Sequence, residues 1–373
     1  MKILQAGNMA NVGYLTSSLL RKSGLDVDLL LDTENSYPEK FDPELLKGHP
    51  QWFIRYQLNK RFWKLKILKT MRNKKYDLIH SYVELPIFAY LSRRPYIVQA
   101  LGSDFRELAQ TKSIRGTLLR CAYRKAKVIL FSMPDHLPIY RKMGLNNGIF
   151  FPLPVNLSFF KPIKTQERKF SSNLIVFHPA SLIWRLKRND ILIEGFSKFV
   201  KNNKDCLLVI IDRGEDSQKT HQLVKKLELE NHVKFIKGPL NSSQILEYYN
   251  SVDVVVDSFK FPAMSGITNE SLCCEKPVIA YYPSSKFEGA YPEHPPIRNA
   301  STPNEICEQL EFLKDTKKRN EIGKKGREWI SKYNNPELYT VKLRTIYEAV
   351  LADHNIDEIK EKLNKITMTK KIS

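Results

Sequence analysis

The chain has 373 residues, of which 42% are hydrophobic and 27% charged, a composition typical of a soluble globular protein. This length is more than one ordinary core holds, so two domains are expected. The net charge of +20 could be explained by nucleic acid, an anionic membrane or a phosphorylated substrate as a partner, and part of it could serve only solubility. Apolar runs of about ten residues are too short to span a bilayer.

The cysteines and the N-terminus bear on metal content and location. There are five cysteines, an odd number without the spacing of zinc ligands, so we expect reduced, buried thiols and no metal site. The first residues form a predicted strand and lack signal-peptide architecture, which predicts a cytoplasmic protein.

Short β-rich runs alternate with helical periodicity along the chain, which predicts an α/β fold with parallel sheets. The predicted strands of the first half are 2–6, 26–31, 77–80, 95–100 and 127–132. Those of the second half are 173–178, 206–212, 232–237, 253–257 and 277–282. Each half is thus a Rossmann-like, doubly wound unit of five or six strands, and two such domains would face each other across a cleft.

Domain boundaries follow from where this alternation stops. A stretch with prolines and a polar, basic end predicts a linker at 156–172. We therefore predict an N-terminal domain at 1–155, a C-terminal domain at 173–345, and a C-terminal helix and tail at 346–373.

The first candidate site is the loop between the first strand and the first helix, "QAGNMANVG". Its glycines, Gly7 and Gly13, would let a ligand approach the backbone closely, although G-x-G-x-x-G is absent. A tight strand–helix turn is the alternative.

The second is the basic stretch 55–75, which has nine Lys or Arg and no acid. Its apolar residues recur at helical spacing, and a basic amphipathic helix is typical of membrane-surface binding. An ordinary core-packed helix is the alternative. We expect no nucleic-acid partner, because no basic-aromatic RNA-binding module appears elsewhere.

The third is "LGSDFRE", which follows a buried strand. An acid at the carboxyl end of a strand, here Asp104, is placed to meet a substrate hydroxyl. Simple helix capping by Ser103 or Asp104 explains the same residues.

The fourth is the cluster of Arg185, Lys187 and Arg188, which lies after a strand and before a helix. Cations beside helix amides can hold a diphosphate. A solvated basic turn is the alternative.

The fifth is "FPAMSGITNESLCCEKPVIAYY", which joins a loop, a helix and an apolar strand. Gly266, Ile267 and Thr268 can offer backbone N–H groups to an anion at the helix start. Glu270 accepts hydrogen bonds only, so hydroxyls such as a ribose diol are its natural partners. A glutamate that merely stabilises the helix dipole is the alternative.

Together these segments resemble the retaining nucleotide-sugar glycosyltransferases of the GT-B fold, the family 4-like or group 1 glycosyltransferases. The resemblance covers most of the chain. It rests on "VDVVVDSFKFPAMSGITNESLCCEKPVIAYY", "HPASLIWRLKRNDILIEGF", "LGSDFRE" and "GNMANVGYLTSSLLRKSGLDVDLLL". It implies an acceptor-side N-terminal domain and a nucleotide-sugar-binding C-terminal domain.

The resemblance also implies roles for single residues. Asp104, Lys187 and Glu270 would be catalytic, with Asp104 near the acceptor, Lys187 on the diphosphate and Glu270 on the ribose. The remaining donor-binding residues would be Gly13, Arg185, Gly266, Ile267 and Thr268.

Three family residues are missing here. The first glutamate of the family falls at Pro262, its arginine at Leu182, and its acceptor-loop histidine near Leu101. Arg185 or Arg188 could replace the arginine.

The predicted activity is transfer of a hexosyl group from a nucleoside diphosphate sugar to a hydroxyl, with retention, in surface glycan or glycolipid assembly. The nucleotide sugar is the donor substrate, and no cofactor or metal is expected. The acceptor would be a glycan or lipid-linked, and the protein would be peripheral at the inner membrane face. A catalytically impaired sugar-nucleotide-binding protein and a GT-B epimerase or phosphorylase remain as alternatives.

Overall fold

The computed structural model describes residues 1–32, 50–163, 168–262, 264–287 and 289–369. They form two compact units, one made of Met1–Pro154 with Pro336–Ser373 and the other of Val155–Asn335. Each unit contains one parallel sheet flanked by helices.

The strands confirm the predicted α/β architecture. Among the described residues, seven parallel strands form the first sheet and six form the second. The strands are β1 (Lys2–Ala6), β2 (Asp26–Asp32), β3 (Phe53–Tyr56), β4 (Leu78–Tyr82), β5 (Tyr96–Ala100), β6 (Ile129–Phe131), β7 (Gly148–Phe150), β8 (Leu174–His178), β9 (Cys206–Asp212), β10 (Val233–Lys237), β11 (Val254–Val256), β12 (Val278–Ala280) and β13 (Arg298–Asn299). The sequence did not predict β3, β7 and β13, which lie at sheet edges and are too short to give a period.

Both sheets are doubly wound. Their strand orders are β3-β2-β1-β4-β5-β6-β7 and β10-β9-β8-β11-β12-β13. The order reverses between β1 and β4 in the first sheet and between β8 and β11 in the second. At such a reversal the flanking helices lie on opposite faces, which leaves a crevice at the carboxyl ends of the strands.

The helices cover both faces of the sheets. They are α1 (Val12–Lys22), α2 (Trp63–Met71), α3 (Pro86–Ser92), α4 (Ser103–Arg106), α5 (Ile114–Lys125), α6 (His136–Lys142), α7 (Trp184–Lys187), α8 (Asn189–Val200), α9 (Ser217–Lys226), α10 (Ser242–Ser251), α11 (Gly266–Cys273), α12 (Pro303–Leu313), α13 (Thr316–Tyr333), α14 (Pro336–Leu351) and α15 (Ile356–Thr369). Several begin at clear caps. For example, Thr302 and Glu305 form a reciprocal capping box at α12.

The last two helices return to the first unit. Leu343, Ile346 and Tyr347 of α14 pack in the same buried cluster as Ile3 and Val27. The Tyr347 hydroxyl lies 2.7 Å from Gln5 Nε2 and 2.7 Å from His80 Nδ1, which fastens α14 to β1 and β4.

The domain limits therefore differ from the predicted ones. Residues 336–345, which the sequence analysis assigned to the C-terminal domain, belong to the first unit, as does the rest of the described tail. An amphipathic pattern shows that a helix has a buried face, but it does not show which core receives that face. The predicted linker at 156–172 lies in the second unit, and its residues 164–167 are outside the described residues.

Candidate functional site

The switch point of the second sheet gathers most of the predicted site residues. β8 and β11 are neighbours there, and His178 ends β8 while Asp257 follows β11 directly. Lys187 is the last residue of α7, and α11 begins nearby at Gly266. The ligand crevice of a doubly wound sheet is expected at this position.

The first turn of α11 supplies free amides. Asn269 makes the first i→i−4 bond of the helix, to the Ser265 carbonyl at 3.0 Å, so the N–H groups of Gly266, Ile267 and Thr268 precede the regular ladder. Gly266 is exposed, so its amide is accessible to an anion. The Ser265 and Thr268 hydroxyls turn inward and donate to Asp257 Oδ2, at 2.5 Å and 2.7 Å.

Lys187 is the predicted cation that the structure brings to this turn. Its ammonium lies 3.8 Å from Asp257 Oδ1 and its side chain is 26% exposed. The Lys187 carbonyl accepts from the Phe259 amide at 3.0 Å, which ties the α7–α8 turn to the loop after β11.

The neighbouring arginines have partners of their own. Arg185 is 67% exposed and pairs with Glu215 at 3.3 Å. Arg188 pairs with Asp190 at 3.1 Å, in a left-handed backbone conformation with φ 54°. Both pairs are on the surface, where such pairs are weak, so either arginine could be released to an anion at little cost.

Glu270 lies one turn into α11 with its carboxyl group half-buried. Tyr249 donates its hydroxyl to Oε2 at 3.0 Å, which leaves Oε1 for another donor. Burial, and secondarily the charge of Asp257, raises the pKa of Glu270 to about 7. A carboxyl group with this pKa changes its charge near neutral pH.

Two buried residues brace this corner and were not found from the sequence. His178 lies 2.9 Å from the Val256 carbonyl through Nδ1 and 2.7 Å from Asn189 Nδ2 through Nε2. These contacts assign the proton to Nδ1, and burial lowers the pKa of His178 to about 4, so the ring is neutral. His178 therefore joins β8, β11 and α8 without adding charge.

Two of the positions where a family residue is missing, Leu182 and Pro262, differ in how deeply they are buried. Leu182 is fully buried, and its carbonyl lies only 2.4 Å from where a side chain at Gly214 would begin. Pro262 is half-buried, and the next residue, Ala263, is outside the described residues.

Gly13 is required by packing in the first unit. A Cβ atom at this position would lie 2.0 Å from the Gly7 carbonyl oxygen. The loop between them holds Ala10 and Asn11 at φ 48° and 65°, in the left-handed region that costs most residues energy. The close approach of Gly13 to Gly7 agrees with the tight strand–helix turn that was given as the alternative, and a ligand-binding role for Gly13 stays a prediction.

Asp104 lies inside the first unit. The side chain is 3% exposed, and its oxygens accept from the Gly102 amide at 2.7 Å and the Tyr123 hydroxyl at 3.1 Å. Burial raises the pKa of Asp104, while these hydrogen bonds lower it. Its observed contacts fix the loop between β5 and α4.

The basic stretch of the first unit forms β3, α2 and the turn between them. Ile67 and Met71 are buried, whereas Phe62 and Leu65 are 61% and 60% exposed. The exposed pair lies among exposed lysines and arginines. None of the helices in the described ranges combines the length and apolar character needed to cross a bilayer. Within those ranges no three His, Cys, Asp or Glu side chains group as metal ligands.

Comparison with known proteins identifies the architecture. Residues 160–329 match the sequence model of the family "Glycosyl transferases group 1". No curated protein matches the chain by sequence.

Solved structures match nearly the whole chain. HepE of Anabaena, in complex with UDP-glucose, has a TM-score of 0.73 at 16% identity, over 94% of this chain and 100% of that one. Sucrose-phosphate synthase of Thermosynechococcus elongatus has a TM-score of 0.71 at 16% identity, over 95% and 100%. A glycosyltransferase of Rickettsia africae has a TM-score of 0.68 at 16% identity, over 94% and 98%. The chain has the GT-B fold, and the family match supports a glycosyltransferase.

Proposed function

We propose that this chain, which has the GT-B fold and a second unit matching the group 1 glycosyltransferases, is a retaining hexosyltransferase. It would transfer a sugar from a nucleoside diphosphate sugar to a hydroxyl acceptor. One observation carries the proposal. At the switch point of the second sheet, the first amides of α11 precede the half-buried carboxyl group of Glu270 by one turn. The Lys187 ammonium lies 3.8 Å from Asp257, which accepts hydrogen bonds from the Ser265 and Thr268 hydroxyls of that same turn.

This arrangement fits a nucleoside diphosphate in two parts. The amides of Gly266, Ile267 and Thr268 and the ammonium of Lys187 offer positive charge to a diphosphate. Ionised Glu270 accepts hydrogen bonds from the two ribose hydroxyls. Because HepE binds UDP-glucose, UDP and its sugars are the first donors to test.

The bond changes need no nucleophile from the protein. The bond between the anomeric carbon and the diphosphate oxygen breaks, and the acceptor oxygen bonds to that carbon from the same face. The acceptor proton passes to the departing phosphate. Lys187, the α11 amides and released Arg185 or Arg188 would stabilise the charge that develops on the diphosphate.

We propose a positioning role for Asp104. Its carboxylate oxygens are used by Gly102 and Tyr123, so it would shape the loop near the acceptor rather than contact the acceptor itself. The shape of that loop would then depend on a carboxylate that is almost completely buried.

The proposal includes no resident metal or cofactor, since lysine and helix amides supply the charge that a divalent cation supplies elsewhere. Acceptor-dependent release of UDP from UDP-glucose by the dialysed protein should therefore be unchanged by EDTA. Activity that disappears with EDTA and returns with Mg²⁺ would contradict this part of the proposal.

The central test is donor binding. UDP-, GDP- and ADP-sugars should be screened by thermal shift, where a ligand at 100 times its Kd adds about 2.7 kcal/mol to stability. A shift with one of the donors, and its loss in Glu270→Ala, is the expected result. Absence of a shift with every donor would remove the proposal.

A non-catalytic sugar-nucleotide-binding protein is the second candidate, and two observations favour it. Leu182 is buried where the family has an arginine, and Pro262 replaces its first glutamate. Release of nucleoside diphosphate only when an acceptor is added separates a transferase from this candidate and from an epimerase or phosphorylase. A donor that binds without any turnover favours the binding protein.

We extend the proposal to an acceptor at an anionic membrane. Phe62 and Leu65 form an exposed apolar pair next to the cations of α2, and each Lys or Arg near an anionic surface contributes about 1 kcal/mol. The protein should co-sediment with phosphatidylglycerol vesicles in a salt-sensitive manner, but not with phosphatidylcholine vesicles.

The double variant Phe62→Ser/Leu65→Ser should lose this binding. Ile114→Ser is the matched control, because Ile114 is 82% exposed and lies on α5, outside the basic stretch. Equal binding by both variants, or no binding by the wild-type protein, would refute the membrane contact.

A further inference from the structure

Asp257 is a fully buried carboxylate next to a site that we assign to an anion. It follows β11 directly, its backbone N–H donates to the Ile279 carbonyl at 3.1 Å, and its side chain is 0% exposed. Its negative charge repels a diphosphate, and it adds to the effect of burial in raising the pKa of Glu270, so the presence of an acid here needs an explanation.

The two carboxylate oxygens have different partners. Oδ2 accepts from both hydroxyls of the α11 start, Ser265 and Thr268. Oδ1 has no hydrogen-bond partner among the described residues, and the Lys187 ammonium lies 3.8 Å from it. A buried charge is costly unless it is paired, so this oxygen holds the ammonium close by electrostatic attraction.

Asp257 contacts both elements that we assign to diphosphate binding, the end of α7 and the start of α11. Lys187 ends the α7 segment, and Ser265 and Thr268 begin α11. No other carboxylate in the described part of the second unit makes an ion pair with Lys187. A movement of the Asp257 side chain would therefore displace the lysine and the helix start together.

We propose that Asp257 is a positioning residue for diphosphate binding, which holds the Lys187 ammonium and the first turn of α11 in register. This inference rests on the proposed function. Hydrogen bonds from two hydroxyls partly neutralise the Asp257 carboxylate, so the Lys187 ammonium is held only loosely, at 3.8 Å. Lys187 is thus aimed at the site and is still available to a phosphate oxygen.

The test is a double-mutant cycle between positions 187 and 257, measured by calorimetry with UDP and with uridine. Asp257→Asn keeps an oxygen for the two hydroxyls but removes the charge. It should weaken UDP binding by about tenfold, the scale of one charged hydrogen bond, and change uridine binding less than about twofold. In a Lys187→Met background the same change should leave UDP affinity unaltered or raise it, since only repulsion of the anion remains.

The outcomes separate the possible failures. An equal loss of UDP affinity in both backgrounds would mean that Asp257 acts without Lys187, and an equal loss for UDP and uridine would mean that the whole site is distorted. Either result overturns the inference while the proposed function stands. A wild-type protein that binds neither ligand overturns both.

Further variants test whether a change in UDP affinity comes from disturbed folding. Asp253→Asn removes a carboxylate from the opposite end of β11, where it pairs with Arg168, and should leave UDP affinity unchanged. If Asp257→Asn does not fold, Ser265→Ala/Thr268→Val removes the two hydroxyls and keeps the charge. The inference then expects weaker UDP binding with unchanged uridine binding, and unchanged UDP binding would refute it.

Discussion

At the residue scale, the pKa of Glu270 predicts how binding depends on pH. If ionised Glu270 accepts the ribose hydroxyls, UDP affinity should rise by about tenfold from pH 6 to pH 8 as the carboxyl group loses its proton. Glu270→Gln should remove this dependence. Dividing the UDP affinity of the wild-type protein by that of Glu270→Gln at each pH cancels the effect of titration of the UDP phosphate itself. Calorimetry measures both pH profiles. If the wild-type protein and Glu270→Gln gave parallel profiles, Glu270 would not be the residue that binds the ribose.

The same pKa has a consequence for stability. The folded protein holds this proton up to about pH 7, while an exposed glutamate releases it near 4.5. The unfolded chain therefore binds fewer protons in this interval, and the free energy of unfolding should fall as pH rises from 4.5 to 7. Denaturation of the wild-type protein and of Glu270→Gln across this range measures the effect, and equal slopes would contradict it.

Two glycines with similar predicted roles should respond differently to a side chain. Gly13→Ala places a methyl group against the Gly7 carbonyl and should cost about 1–3 kcal/mol of stability. Gly266→Ala meets nothing nearer than Glu270 Oε1 at 3.8 Å and should change stability by less than about 0.5 kcal/mol. Chemical denaturation measures the free energy of unfolding of both variants. Equal losses of stability would show that the close contact between Gly7 and Gly13 does not determine the effect of a side chain at position 13.

At the element scale, the Tyr347 hydroxyl group adds hydrogen bonds to the apolar packing that joins α14 to the first sheet. Tyr347→Phe leaves the Gln5 amide and the His80 ring without that partner in a buried site, so it should cost about 1–3 kcal/mol. Tyr339→Phe is the control on the same helix, because the Tyr339 hydroxyl makes longer contacts of 3.3 Å with Thr16 and Gln99. Thermal unfolding should show the larger loss for Tyr347→Phe, and the reverse order would contradict this assignment.

At the scale of the whole molecule, the two units should differ in autonomy. The second unit is a continuous segment, Val155–Asn335, whereas the first needs residues from both ends of the chain. A fragment of residues 155–335 should fold and bind UDP, while residues 1–154 alone should not fold, because α14 supplies part of their core. Circular dichroism and calorimetry of the fragments test this, and a folded 1–154 fragment would contradict it.

The sequence predicted what is local and missed what depends on distant pairing. Lys187, Gly266 and Glu270 follow predicted strands or open predicted helices, so their placement at a strand end was visible from order alone. Tyr249, His178 and Asp257 were missed because each acts through a contact with a different element, such as the hydrogen bond from the Tyr249 hydroxyl of α10 to Glu270 of α11. Nothing in a single segment distinguishes such a residue from an ordinary core residue.

The return of α14 and α15 to the first unit also fixes an order of events on the ribosome. The second unit has all its residues as soon as Asn335 has emerged, whereas the first must wait for the last helices. Domains generally fold as units during synthesis. The second unit would then fold before the first. Until α14 and α15 are synthesised, Ile3 and Val27 in the strands of the first unit would remain exposed, where chaperones can bind them.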